Sequence, residues 1–446
     1  MTRSSFKVPG YRYLWLTAWL WHVARWMVVF ATTYRVNEQT GDPLLVQLVG
    51  TAFMAPMFLG GAIAGTITDR LDRHRTVARS LGILAPLSAM MGLAVLGDQA
   101  PIGVSYLFVF CIGAGNVIDL TSRRSIAFGL VGTGLITNAA ALETLALHGG
   151  NMIGTISGGA IIAALGVASV YLGVGFVYLV AMTSFIIASR VARAANRDPG
   201  ANQRPGSGSV GSVSTTPVSG DPPAETPTPA DVAASGQPPS TVAVSTPAPS
   251  MGQDLRAGIG LLRSNTVLRQ FLMTTVLMNF FYHAFMPLIP VFAKGLGVGP
   301  FPTGLLASAA GMGTMIGASI IAKLQPARRG LIHIGGSLGA MTMLIVFANM
   351  TWYPAAFGAL FLAGLSSSGF GATQSALVVS LVDESLRGRA LGALSMAIGA
   401  MPFGMFSLGL IAQRTNPRLA LTVSVSTGFA FLVIWQAARP HLRALP

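Results

Sequence analysis

The apolar positions of this 446-residue chain gather into long stretches separated by short polar turns. About twenty helical residues cross a hydrocarbon core of roughly 30 Å, and in lipid the backbone polar groups must be satisfied within the segment. Six such stretches fall near 13–34, 44–66, 76–97, 102–130, 137–165 and 167–188, and six more near 267–292, 302–322, 331–350, 354–381, 388–412 and 418–437. The pattern predicts an all-α integral membrane protein of twelve transmembrane helices in two six-helix bundles. The first bundle covers residues 1–188 and the second 266–446. Between them, residues 189–265 form a predicted cytoplasmic linker. From Pro199 to Ser250 it is built of Gly, Ser, Thr, Pro, Ala and Val without an aromatic residue, too little apolar surface to offset the ordering entropy. Asp254 to Arg269 reads as a short amphipathic helix leading into span seven.

Composition supports the membrane class. Apolar residues make up 52% of the chain, charged residues 9%, and there are 53 glycines, as close helix packing in lipid favours. The net charge of +14 comes from basic residues dispersed among short loops, which is a signature of membrane topology and not of nucleic-acid binding. With both termini inside, 23 of the 28 Lys and Arg residues fall on the cytoplasmic side or in the cytoplasmic helix ends; Arg35, Lys294, Arg414 and Arg418 fall outside and Arg25 sits mid-span. This asymmetry fixes the expected orientation. The N-terminal run is longer than a signal-peptide core, contains Arg25 and lacks a small-residue cleavage site, so it counts as the first span. The single cysteine, Cys111, lies inside an apolar segment as a small packing residue.

After span two the chain reads Gly65-Thr66-Ile67-Thr68-Asp69-Arg70-Leu71-Asp72-Arg73-His74-Arg75. Gly65 lets helices approach, and Asp69 can cap the next helix or pair with Arg70 or Arg73. These residues suit either a charged latch that forms in one conformation and breaks in another or plain cytoplasmic anchors. In span five, Gly150, Gly154, Gly158 and Gly159 recur along one helix face, offering a groove for a neighbouring helix. Span eleven mirrors it loosely with Gly399, Pro402, Gly404 and Gly409.

In a chain of two six-helix halves, the Asp69-Arg70 loop resembles the signature of the major facilitator superfamily. It departs from that signature with Asp72 where the family usually has Gly and His74 where it usually has a basic residue. The equivalent loop of the second half keeps Gly317, Lys323, Arg328 and Arg329 but lacks the acid. The span-five glycines resemble the antiporter motif of drug exporters, with Thr155 at the place usually held by Pro. Ser122 to Ala168, including Asn138-Ala139-Ala140-Ala141-Leu142, and Asp383-Glu384-Ser385-Leu386-Arg387-Gly388-Arg389 are similar to the enterobactin-exporter and macrolide-efflux-like branch. The resemblance implies proton-driven export of a bulky amphiphile through a central cavity lined by spans one, four, seven and ten.

Ionisable residues inside spans are candidates independent of family, because each costs several kcal/mol unless paired or hydrated. Arg25 lies near the midplane with His22 one turn earlier. Asp119 and Arg123 are four apart and share a face, and Glu143 sits at a similar depth. Glu143 is the leading proton-exchange carboxylate and Asp119 the second, with Arg25 or Arg123 setting its pKa. The same charges also suit a static ion pair. In span seven a soft aromatic run, with Asn279, Phe281, Tyr282 and His283, ends at Pro287 and Pro290; it reads as a cavity wall or as simple packing.

No Gly-rich phosphate loop ending in Lys-Ser or Lys-Thr and no His/Cys cluster of metal-ligand spacing occurs. An enzyme reading has no residues to stand on, and no cofactor or metal is expected. The expectation is a secondary transporter of a cell membrane, inner or plasma; uptake of a polar solute, or a sensor of the same fold that no longer transports, are the alternative readings. Its partners are a small-molecule substrate, protons and the lipid bilayer, with no nucleic acid, and it acts as a monomer.

Overall fold

The computed structural model describes residues 4–60, 72–197, 265–324, 328–380, 382 and 386–438. All regular structure among them is helical. The first half comprises α1 (Tyr11–Thr40), α2 (Pro43–Gly60), α3 (Arg73–Leu96), α4 (Ile102–Val131), α5 (Ile136–Leu165) and α6 (Val167–Arg197). In the second half are α7 (Thr266–Gly295), α8 (Pro300–Leu324), α9 (Arg329–Ala348), α10 (Tyr353–Ser380), α11 (Arg387–Ile398 continuing as Met401–Arg414) and α12 (Pro417–Ala438). These overlap all twelve predicted stretches. Among the described residues, nine helices have the length and hydropathy to cross a membrane, and Pro43–Phe58 forms a shorter apolar one. The linker from residue 198 to 264 lies outside the described residues, while α6 runs on nine residues beyond the predicted boundary at 188.

Helix ends follow local chemistry. The turn from α1 to α2 uses Gly41 at φ 61, a left-handed conformation that costs glycine least, and Asp42 Oδ1 then accepts from Leu44 N at 2.8 Å. At the start of α3 the cap is Asp72, whose Oδ1 accepts from the backbone N–H groups of His74 at 2.9 Å and Arg75 at 3.2 Å. The residue that departs from the family signature is therefore the helix cap. The Arg75 and His74 amides hold its carboxyl below the usual carboxylate range. A carboxylate whose pKa is depressed by folding stabilises above its unfolded pKa and loses that contribution as pH falls through the folded value. Asp72→Ala is accordingly expected to speed amide hydrogen exchange at His74 and Arg75 at neutral pH. The difference from wild type should vanish in acid; a difference that persists at low pH would refute the cap.

Among the described residues, two helices contain π-helical turns. In α4, Asp119–Arg123 forms a π-helical turn, and α7 carries another at Met278–Tyr282, followed by 3₁₀ winding over His283–Leu288. Such wide turns recur at functional sites. The prolines in α7 tighten it and do not end it, since helix resumes at Ile289–Gly295. In 3₁₀ winding the Ala284 carbonyl looks three residues on to Pro287, which has no N–H. Gln47 of α2 supplies the missing donor from the other half, its Nε2 lying 3.0 Å from Ala284 O.

Within the first half α1 packs on α5 and α6, α3 on α6, and α2 on α4; in the second, α10 packs on both α8 and α9. The halves meet where α5 lies on α8 and α2 lies on α11. Gly159 and Gly304 form the closest point of the first contact, where a Cβ at Gly304 would stand 2.3 Å from Thr155 O. Polar contacts between the halves, among the described residues, all sit at the end bearing the α1–α2 turn. Asn37 Nδ2 donates to Pro290 O at 3.3 Å, Gln413 Nε2 donates to Asp42 Oδ2 at 2.6 Å, and Lys294 pairs with Glu38 at 3.2 Å. Beneath them lies a cavity of about 50 Å³ bounded by Trp26, Phe30, Asn151, Met286 and Met405, room for a few waters and no substrate. The bundle is closed at that end.

Candidate functional site

The charged centre is assembled inside the first half. Tyr11 and Trp15 fix the start of α1 to α5, the Trp15 indole donating to Leu142 O at 2.9 Å and the Tyr11 hydroxyl to Ala139 O at 3.5 Å. That places Glu143 opposite the π turn of α4. Arg123, fully buried, divides its guanidinium between two carboxylates. Nε and Nη2 donate to Asp119, the latter at 3.0 Å, while Nη1 and Nη2 donate to Glu143 at 2.8 and 2.9 Å. Both edges of the fork are in use, a geometry that a lysine point charge cannot reproduce. Asp119 and Glu143 are each 5% exposed.

Arg25 stands apart from Glu143. Its Nη1 donates to Asn116, one turn before Asp119, and its guanidinium lies 5.0 Å from the Trp26 ring and 5.9 Å from Phe53. The sequence offered Arg25 and Arg123 as equal partners for the acid; geometry gives Glu143 to Arg123 and gives Arg25 an amide. Asn116 was missed although its spacing from Asp119 and Arg123 puts all three on one face. A sum over Arg25, Arg123, Asp119 and Glu143 is zero when both acids are ionised, the cheapest state for charges out of water. His22 borders this group, with Arg25, Arg123 and Arg124 as its neighbouring cations.

The glycines of α5 begin about two turns beyond Glu143. A Cβ at Gly150 would stand 2.4 Å from His22 Cβ and one at Gly154 2.6 Å from Val23 O; Gly158 faces Phe30, all on α1. Gly159 faces Pro300 and Gly304 of α8. One stripe thus joins α1, α5 and α8 across both halves.

Of the latch residues, Gly65, Asp69 and Arg70 lie outside the described residues. Arg73 opens α3 and donates to Ser125 Oγ of α4 at 2.8 Å. In span seven, Asn279 donates back to Thr275 O at 2.9 Å and is buried, as is Tyr282. His283 Nδ1 lies 3.2 Å from Met278 O, with Phe370 of α10 facing its ring at 6.1 Å. Phe281 points elsewhere, onto Gly428 of α12. Sequence reading also passed over Gln270 and Gln436, whose amides pair at 2.8 Å and reach Thr274 at 2.9 Å in the interior of the second half. Arg35, next to the α1–α2 turn, is buried within the protein and donates to Ser105 Oγ at 2.7 Å.

Gly335-Gly336-Ser337-Leu338-Gly339 has the spacing of a hydrolase nucleophile elbow. Ser337, however, lies inside α9 and donates to His333 O at 2.7 Å, with no strand-to-helix turn to expose it.

Two helical bundles meeting on glycine stripes, closed at one end over a buried charge centre, define a membrane transporter. The sequence profile of the Major Facilitator Superfamily matches residues 14–403, and the chain belongs to that family. It is a secondary transporter with a small-molecule substrate, and not an enzyme. No curated protein matches it. Solved structures share the fold at low identity. A bacterial homolog to the human lysosomal transporter Spinster, inward-facing and unoccupied, is 14% identical with a TM-score of 0.64, covering 98% of this chain and 99% of that one. The nucleoside transporter NupG is 12% identical with a TM-score of 0.64, covering 96% and 100%. A peptide transporter, POT, in complex with alafosfalin is 11% identical with a TM-score of 0.70, covering 99% of each chain.

Proposed function

We propose that the chain is a proton-coupled exporter of small amphiphilic compounds, working by alternating access in a cell membrane with both termini cytoplasmic, as a monomer. The observation that carries it is the shared Arg123: two buried carboxylates hold one guanidinium, with Glu143 on α5 about two turns ahead of the glycine stripe that connects α1 with α8. A proton arriving on Glu143 or Asp119 leaves Arg123 with one anionic partner and the centre with a net positive charge, in surroundings where charge is expensive. The local geometry then favours rearrangement of α4 against α5, and the stripe passes that movement to α8. The charge asymmetry of the loops supports an orientation with the closed α1–α2 end outside; in that orientation this conformation is the inward-facing one that loads substrate. The amphiphile follows from the similarity to the enterobactin-exporter and macrolide-efflux-like branch.

In proteoliposomes with an imposed pH gradient, wild-type protein is expected to give substrate-evoked proton movement across a panel of amphiphiles. Glu143→Gln should abolish the coupling and flatten the pH dependence while leaving substrate binding in place. Wild-type rate and pH profile in Glu143→Gln would defeat the proton role.

A further inference from the structure

A second cavity opens at the end of the bundle opposite the closed one, where α4 turns into α5. It is an open depression, wide toward its surroundings, offering about 650 Å³ of space. Leu120 and Phe128 give it an apolar wall, Thr121 and Ser125 supply hydroxyls, and Arg73 and Arg124 supply charge. No carboxylate is among its described lining residues. Arg124 lies with its guanidinium 5.4 Å from the Phe128 ring, and its Nε is buried with no hydrogen-bond partner in the protein. A buried guanidinium donor without an acceptor is costly unless a ligand or water supplies one.

The wider passage has the same sign. From Asn265 to the C-terminus the chain carries just two acids, Asp383 and Glu384, in the loop before α11. In the first half the carboxylates inside the predicted spans are Asp119 and Glu143, and both are engaged by Arg123. Adjacent positions of α4 thus split the work: Arg123 turns inward to neutralise the acids, and Arg124 turns toward the cavity with its charge available.

We infer that this cavity is the loading site for an amphiphile bearing an anionic group, with Arg124 as the anion's partner and Leu120 and Phe128 receiving its apolar body. The inference rests on the transporter reading and adds the sign of the substrate's charge. A cationic amphiphile would meet the Arg124 guanidinium with no carboxylate among the described lining residues.

The test uses full-length protein in nanodiscs of zwitterionic lipid and three matched probes: 1-naphthyl phosphate, neutral 1-naphthol and cationic 1-naphthylmethylamine. Binding is read by calorimetry. A charge-assisted hydrogen bond predicts that the phosphate binds roughly ten- to hundredfold more tightly than the amine, and that salt weakens the phosphate but not the naphthol. Arg124→Gln should erase the preference and Arg124→Lys should retain most of it. Equal or tighter binding of the amine, failure of all three probes to bind, or a preference surviving in Arg124→Gln would overturn the inference. Displacement of naphthyl phosphate by added phosphatidylglycerol would do so too, by assigning the site to a lipid headgroup. Proton-driven flux of the amine without phosphate binding would overturn it while leaving the transporter reading intact. Phosphate binding without any flux in proteoliposomes would support the anion site and remove the exporter.

Discussion

Arg123→Gln is expected to be the most damaging single substitution in the first half. It leaves Asp119 and Glu143, each 5% exposed, without a counter-charge, and breaking a buried pair from one side typically costs about 3–5 kcal/mol. Thermal unfolding in detergent should show a fall of many degrees. The partners make the cause separable: Arg123→Gln combined with Asp119→Asn and Glu143→Gln removes all three charges, and the triple variant should regain much of the lost stability. If the triple variant is as unstable as the single one, the damage comes from lost packing and the electrostatic account fails. Arg123→Lys should fall between, since an ammonium cannot span both carboxylates.

Gly304→Ala should act on conformation more than on folding. Its Cβ would stand 2.3 Å from Thr155 O in the opposite half, and relief is available by parting the halves at their closed end. Overpacking of this kind costs about 1–3 kcal/mol, which is roughly a five- to 150-fold change in the population of that conformation. Spin labels at positions 38 and 294, the Glu38–Lys294 pair, should report a longer distance in Gly304→Ala. Gly364→Ala is the contrasting case, because its Cβ would stand 1.9 Å from Ala310 O within the second half itself. It should lower the melting temperature and leave the 38–294 distance unchanged. An unaltered distance in Gly304→Ala would show that the α5–α8 contact does not hold that end shut.

The helices were legible because lipid imposes a length and an apolar composition on each crossing: every predicted stretch overlaps a described helix, and nine of the described helices have the length and hydropathy to cross a membrane. The pairing of Arg123 with Asp119 was legible for the same local reason, a four-residue spacing. What the sequence concealed is relational. Glu143 chose Arg123 over Arg25 because Tyr11 and Trp15 pin the start of α5 to α1. Phe281 could not be separated from Tyr282 by composition, yet the π turn sends it toward α12. Gln47 carried no motif; its role depends on a carbonyl that Pro287 orphans some 240 residues away, at a sequence separation of 237 from Ala284. Asp72 looked like a flaw in a signature and proved to be a cap, a role open to any Asp ahead of a helix.

The two bundles differ in how they bind their interiors: the first is stitched by ion pairs, the second by amides and hydroxyls such as Gln270, Gln436 and Thr274. An electric field across the bilayer does work of about 2.3 kcal/mol per elementary charge per 100 mV over the full drop. A balanced set of charges feels little of it; once protonated, the set around Arg123 carries one net unit, while the Gln270, Gln436 and Thr274 network carries none. The voltage sensitivity that this protonation adds to the cycle therefore resides in the first bundle.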